Sequence, residues 1–270
     1  MKIDKDTKIF GSVSSNPGNT GSRLHNTCFQ KINMNAIYIP FKCEKLKEVL
    51  SLLHNNKIFG LSVSMPFKKK IMRNIDRLDK TAKKAGNVNT IIKRDKKTTG
   101  YSTDILSLIR IIKKVSIKKE DEFVLLGNGA MGETIYNYLK KQFINKIILC
   151  SRSTYKFKNW NLRKKDQKFK WKNRNQIGGN ILINSTPIGM NHTSKLMIFN
   201  EKKIKQFKFI LDLPIADSNI LMMQAKKYKI KYIGGKEFGF YQGLEQSKIY
   251  TKKRFDEKKL KKILNYEKFF

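Results

Sequence analysis

Along this chain, short apolar runs alternate with segments whose apolar positions recur every three or four residues, the first rhythm predicting strands and the second helices. TKIFGSVSS reads as a strand running into the loop SNPGNTGS, where proline and glycine break the periodicity. RLHNTCFQKI is predicted helical, MNAIYIPF a second strand, EKLKEVLSLLHNN an amphipathic helix and IFGLSVSMPF a third strand. IMRNIDRLDKTAKKAG predicts another helix, and VNTIIKRDKKTTGYST a hairpin with a charged turn. The helix DILSLIRIIKKV leads into a second alternating set. There EFVLLGNGAMGETIYNYLKKQF is strand, glycine turn and helix, and KIILCS, GGNILINSTPIGM and FKFILDLPIA are strands. LRKKDQKFKWKNRNQ is expected as a surface loop or short helix, SNILMMQAKKYKI as a helix, KYIGG as a last short strand, and everything after it as helix throughout. Strands and helices alternating in this way predict an α/β protein.

The length of 270 residues fits one large or two small domains. Lysine and arginine number 58 against 21 acidic residues, a formal charge of +37. A balance this basic raises nucleic acid or an anionic surface as a partner. Few of the cations are arginine, however, and they are scattered over every segment. Lysine is a hydrated surface charge and a poorer fork for phosphates than arginine. The spread therefore reads as compositional drift, with nucleic-acid binding limited to weak, salt-sensitive contact. Three distant cysteines exclude a disulfide framework or a CxxC metal site, and the three histidines lack ligand spacing, so no metal is expected. No apolar run reaches the roughly 20 residues that span a bilayer, and MKIDKDTKIFGSV lacks the core of a signal peptide. A cytoplasmic protein without membrane contact is expected, as a monomer or homodimer.

Two places carry chemistry. Gly127, Gly129 and Gly132, with Asn128 and Ala130 between them, have the G-x-G-x-x-G spacing after an apolar strand and at the start of a helix. The first glycine permits the tight turn, the second lets backbone approach a pyrophosphate, and the third allows helix–sheet packing. The phosphates would sit on the helix N-terminus. The next strand ends in Ser151, Arg152, Ser153 and Lys156 instead of the acidic residue that holds NAD ribose hydroxyls. Two cations and two hydroxyls suit a 2′-phosphate, which favours NADP. The other place is LSVSMPFKKKI, where a strand delivers Lys68, Lys69 and Lys70 after a proline. Spacing alone leaves open which lysine serves chemistry.

SVSMPFK, AGNVNT, GYSTD, GNGAMG and INSTPIGM occur in the order seen in shikimate dehydrogenases. From about residue 8 to residue 251 the chain resembles that family, and NPGNTGSRLHN resembles its shikimate-dehydrogenase-like branch. The resemblance implies an N-terminal α/β substrate domain, residues 1–104 completed by 238–270, and a Rossmann-like NADP domain, residues 105–237, with C-terminal helices returning to the first. It implies NADP-dependent reduction of 3-dehydroshikimate to shikimate, reversibly, toward aromatic amino acids. It assigns Lys68 and Asp104 as a catalytic dyad. A lysine beside a carboxylate can take or relay the proton that a carbinol loses as its hydride departs. Asn89, Ser64 and Gln242 match substrate-binding positions, with Gln246 competing for the last. Thr186 and Gly189 match the loop on the nicotinamide side, and Gly235 a glycine near that ring.

Three departures stand out. The main branch grips the substrate carboxylate with Ser-x-Ser-Pro; Asn19 and Gly21 stand there, leaving Ser22, Ser14 and Ser15 as candidate substitutes. Ser102 replaces the usual asparagine before Thr-Asp, and Ile215 a main-branch tyrosine. Quinate or aminoshikimate as substrate is the alternative within the enzyme class. The alternative outside it is a catalytically weak, cofactor-binding paralogue with non-specific RNA binding.

Overall fold

A computed structural model describes residues 3–264. The chain divides into two compact units, one formed by 1–107 and 240–270 and the other by 108–239. The first contains strands β1 (Lys8–Ser14), β2 (Ala36–Lys42), β3 (Ile58–Val63), β4 (Arg77–Leu78), β5 (Thr90–Arg94) and β6 (Lys97–Tyr101). Helices α1 (Thr20–Lys31), α2 (Leu46–His54) and α3 (Lys80–Ala85) connect them, and α4 (Thr103–Lys114) leads onward. The sheet order is β2-β1-β3-β5-β6-β4. β1 pairs in parallel with β2 and β3, whereas β5 runs antiparallel to β3 and β6. Alternate side chains along the strands feed two cores. Val13, Leu61, Val63 and Ile91 pack with Val49 and Leu53 of α2, and Phe10, Tyr38 and Ile92 pack with Phe29 of α1.

The charged hairpin forms as expected. Asp95 and Lys96 both take positive φ, 50° and 60°, as a two-residue hairpin turn of the primed type requires. The helix expected over IMRNIDRLDKTAKKAG does not form as one piece. Lys70–Asn74 is a single 3-10 turn, β4 follows, and α3 begins only at Lys80. The Asp76 carboxylate accepts from the Thr98 amide at 2.7 Å and the Thr98 hydroxyl at 2.6 Å, and Asp79 caps the Thr81 amide at 2.8 Å. Such bonds offer the backbone an alternative to helix.

The second unit contains β7 (Phe123–Leu126), α5 (Ala130–Gln142), β8 (Ile147–Ser151), β9 (Gln167–Lys170), β10 (Ile181–Asn184), α6 (Glu201–Ile204), β11 (Phe209–Asp212), α7 (Ile220–Lys227) and β12 (Lys231–Gly234). Its six strands are parallel, in the order β12-β11-β10-β7-β8-β9. Every residue of β7, β8, β10 and β11 is buried, the mark of a parallel sheet covered on both faces. The stretch expected as a surface loop or short helix holds edge strand β9, whose Phe169 turns inward between exposed lysines.

The last described elements are α8 (Gly235–Thr251) and α9 (Glu257–Ile263). The C-terminal stretch is therefore not helical throughout. Lys252 adopts a left-handed φ of 58°, and Asp256 starts a new helix by capping the Lys259 amide.

Candidate active site

In the first unit Lys68 follows the fully buried Phe67, and its carbonyl accepts the Val88 amide at 2.9 Å. Its Nζ lies 2.7 Å from Asp104 Oδ2, with the two side chains 17% and 4% exposed. Asp104 sits in the first turn of α4, where the helix dipole favours a carboxylate. Lys69 and Lys70 are exposed.

Asn89 is 2% exposed. Its Oδ1 accepts from the Thr103 amide at 2.8 Å, the Thr103 hydroxyl at 3.1 Å and the Thr90 hydroxyl at 2.9 Å. Its Nδ2 is buried with no partner. A buried donor left open in a network otherwise satisfied lacks a partner from the protein itself. Gln242 repeats the pattern, with Nε2 buried and unpaired.

Gln246, one turn further along α8, is used within the protein: it accepts from Ser62 and donates to the Asn89 carbonyl at 3.2 Å and Thr90 Oγ1 at 2.9 Å. Ser22 has a buried hydroxyl without a partner. So does Ser12, which pairs with Ser62 across the sheet and lies beside the Tyr38 phenol without a well-aligned bond. Ser64 is exposed at the end of β3, and its amide bonds the Val13 carbonyl at 3.0 Å. Together these side chains offer a proton-transfer pair and unpaired amide and hydroxyl groups suited to a hydroxylated substrate.

In the second unit the glycine turn joins β7 to α5. Gly127 has φ of +99°, and a Cβ there would meet Ser185 Oγ at 2.8 Å. A Cβ on Gly132 would meet the Gly127 carbonyl at 2.9 Å. At Gly129, by contrast, nothing lies within 4 Å of a Cβ, and this N-cap residue has no side chain to occupy the start of α5. Ala130 opens that helix.

Asn128 donates to the Ser151 hydroxyl and the Ser153 carbonyl. Ser151 is buried and gives its own proton to the Ser153 carbonyl at 2.8 Å, so it shapes the loop. Arg152, Ser153 and Lys156 are exposed beyond it.

A second cluster fixes the loop after β10. Asn184 Oδ1 accepts from the Thr186 amide at 3.0 Å and hydroxyl at 2.6 Å, while its Nδ2 donates to Asp212 at 2.7 Å. Asn219 and Tyr232 also donate to Asp212, at 2.9 and 2.8 Å. Burial pushes the Asp212 carboxyl up, and those three donors oppose the shift. Gly189 takes φ of +109° against Asn219, and a Cβ on Gly235 would clash with the Leu213 carbonyl.

Residues 20–91 match the model of the shikimate dehydrogenase substrate binding domain. The shikimate dehydrogenase (NADP(+)) of Clostridium beijerinckii is 31% identical over 87% of this chain and 88% of its own length. The enzyme of the same description from Methanocaldococcus jannaschii is 30% identical over 92% of this chain and 93% of its own. The chain belongs to the shikimate dehydrogenase family.

Within the family's solved structures, a shikimate dehydrogenase in complex with NADP+ superposes with a TM-score of 0.86 at 26% identity, covering 100% of this chain and 98% of that one. A shikimate 5-dehydrogenase-like protein shares the fold with a TM-score of 0.88 at 23% identity, over 99% of this chain and 100% of that one. Asn184 and Ser185 belong to INSTPIGM, and Asn219 follows the β11 loop. Ser12 had no signal beyond its place in a strand. Among the described residues, no helix is long and apolar enough to cross a membrane.

His25, a member of the same family phrase as NPGNTG, is 1% exposed beside Gln246 and Ser247. Burial pushes its imidazole down to about 3, against a weaker opposing bond from Gln246. An unfolded histidine titrates near about 6.5. Below that pH the unfolded chain takes a proton that the folded one refuses, so stability falls by about 1.4 kcal/mol per pH unit until the folded value is reached. In denaturant titrations from about pH 6 to pH 4, His25→Gln is expected to show an acid slope shallower by roughly one proton. Equal slopes would mean that His25 is already charged in the fold.

Proposed function

We propose that the chain is an NADP-dependent shikimate dehydrogenase, interconverting 3-dehydroshikimate and shikimate, with Lys68 and Asp104 moving the proton. The observation that carries this is the Lys68–Asp104 pair at 2.7 Å in the same unit as the unpartnered Asn89 amide. In the reducing direction the Lys68 Nζ gives a proton to the substrate oxygen as charge develops there. In the oxidising direction the pair takes the hydroxyl proton. Asp104 keeps the amine in place, and Asn89, Gln242, Ser22 and Ser64 orient the ring hydroxyls and carboxylate. Residues 1–104 with 238–270 serve the substrate, and 105–237 the cofactor.

The second unit fits NADP. The start of α5 is open at Gly129, its N-cap residue, and suited to a pyrophosphate. No carboxylate stands at the end of β8, where Arg152 and Lys156 are exposed. Gly127, Asn128, Ala130, Gly132, Ser151 and Ser153 shape this turn and its neighbour, while Thr186, Gly189 and Gly235 form the wall for the nicotinamide. When bound, NADP supplies or accepts the hydride.

A steady-state screen of shikimate and quinate with NADP and NAD tests the function. Turnover of shikimate with NADP is expected to exceed every other combination, and no turnover with any pair would overturn the enzyme reading. Arg152→Ala is expected to weaken NADPH binding by roughly tenfold or more, the loss of a charge-assisted bond, with NADH binding unchanged within about twofold. Equal losses for both coenzymes, measured by fluorescence titration, would remove Arg152 from the 2′-phosphate.

A further inference from the structure

We infer that Gln246, backed by Thr90 and His25, is a positioning relay that holds Asn89 with its amide N–H directed at substrate. This rests on Asn89 touching substrate, as proposed above. The polarity of each bond follows from which atoms can donate. The Thr103 backbone N–H reaches Asn89 Oδ1 at 2.8 Å, so that atom is the acceptor and the unpaired one is Nδ2. Gln246 Nε2 faces the Asn89 carbonyl at 3.2 Å, and a carbonyl only accepts. Gln246 Oε1 therefore points the other way, toward Ser62 Oγ at 3.0 Å and His25 Nε2 at 3.3 Å.

The hydrogens next to Gln246 Oε1 then follow, while the Thr90 and Thr103 hydroxyls, 3.3 Å apart, both lie within reach of Asn89 Oδ1. An amide oxygen cannot donate, so His25 carries its proton on Nε2, and Nδ1 accepts from Ser247 Oγ at 2.8 Å. Thr90 Oγ1 accepts from Gln246 Nε2 at 2.9 Å and gives its own hydrogen to Asn89 Oδ1, also at 2.9 Å. Ser62 donates to Gln246 while taking the hydroxyls of Tyr38 at 2.7 Å and Tyr250 at 2.9 Å. Gln246 thus grips Asn89 twice, by its main chain directly and by its side chain through Thr90.

The titratable groups around Gln246 carry no charge near neutrality. From α1, burial holds His25 down to about 3 and pushes Cys28 up to about 11. Burial also raises Tyr38 of β2 and Tyr250 of α8 above the usual phenol range. A carboxylate placed at 246 would meet none of the cations that keep it ionised, and it would face the Asn89 carbonyl.

The test compares Gln246→Glu, Gln246→Met and Asn89→Ala for KM and kcat between about pH 6 and pH 8.5, with Tm measured in parallel. Gln246→Met is expected to raise KM for shikimate about tenfold, the worth of one hydrogen bond, with kcat little changed, because the contact is made in ground and transition states alike. Gln246→Glu is expected to raise KM at the alkaline end and to recover toward native values at the acidic end. There a protonated carboxyl donates where the amide did. A side chain that merely filled space would give no such pH dependence.

A flat profile for Gln246→Glu, or KM within about twofold of native for both variants in folded protein, would overturn the relay. If Asn89→Ala itself leaves KM native, the substrate assignment fails instead. Nitrogen NMR of the native His25 ring gives a check that needs no variant to fold. A neutral Nε2–H form is expected down to about pH 5, and an Nδ1–H form would overturn the proposed polarity.

Discussion

Replacing Lys68 by methionine is expected to lower kcat/KM for shikimate about a thousandfold while NADPH binding stays native. The backbone of Lys68 is fixed on both sides, by the buried Phe67 and by the Val88 amide on its carbonyl, so the side chain has little freedom beyond its own torsions. Its amine reaches Asp104, whose side chain is only 4% exposed. Methionine keeps most of that volume but carries no proton. Asp104→Asn should cost a similar factor, because a neutral amide neither holds the ammonium nor shares its proton. The double variant should be little worse than the poorer single one, as residues acting as a unit behave. Lys70→Met, on the neighbouring exposed lysine, should stay within about twofold. A Lys68→Met enzyme retaining more than a tenth of native kcat/KM would show that the proton travels by another route.

Much of this arrangement was legible in the chain itself. The glycine turn could be read because one strand, one tight turn and one helix lie together in sequence, and the hairpin because Asp95 and Lys96 sit between two alternating runs. The lysine could be placed only by family resemblance: nothing in the spacing of Lys68, Lys69 and Lys70 distinguishes them. What separates them is burial, and the carboxylate partner comes from 36 residues away.

The misread stretches share a cause. Helical spacing of Ile71, Ile75 and Leu78 suggested one helix, but Asp76 bonds Thr98 across the sheet, a partner no local pattern shows. β9 was hidden because its lysines outnumber its one inward phenylalanine. Gln246 reads as an ordinary polar helix residue, since its partners lie 156 residues away at Thr90 and 221 at His25. Its full complement of bonds, against the open Nε2 of Gln242, is what sets the two glutamines apart.

The largest loss of stability is expected from Arg163→Ala, about 3–5 kcal/mol from breaking a buried ion pair. Arg163 grips Asp166 with two bonds, Nε to Oδ2 at 3.0 Å and Nη2 to Oδ1 at 2.8 Å. It also donates to the carbonyls of Lys140 at 3.2 Å and Phe143 at 2.7 Å, at the end of α5, and to Asn145 at 2.7 Å. Those helix-terminal carbonyls have no partner within the helix itself. Asp166, 0% exposed, additionally takes the Tyr136 hydroxyl at 2.7 Å and the Ile147 amide at 2.8 Å. One guanidinium therefore ties the end of α5 to the start of β8. Arg163→Lys keeps the charge but loses the fork and should cost roughly half as much.

The pH dependence identifies the cause. Burial alone would raise the Asp166 carboxyl, and the bonds from Arg163, Ile147 and Tyr136 hold it below the usual carboxylate range. In the native protein this group stabilises the fold above its unfolded value and loses that contribution as pH falls through the folded one. Without the guanidinium, burial dominates, the carboxyl rises, and protonation relieves the unpaired charge. The gap between native and Arg163→Ala should therefore narrow as pH drops from about 7 to about 4 in denaturant titrations. A gap that stays constant would trace the loss to the helix-end carbonyls and packing, and not to the stranded carboxylate.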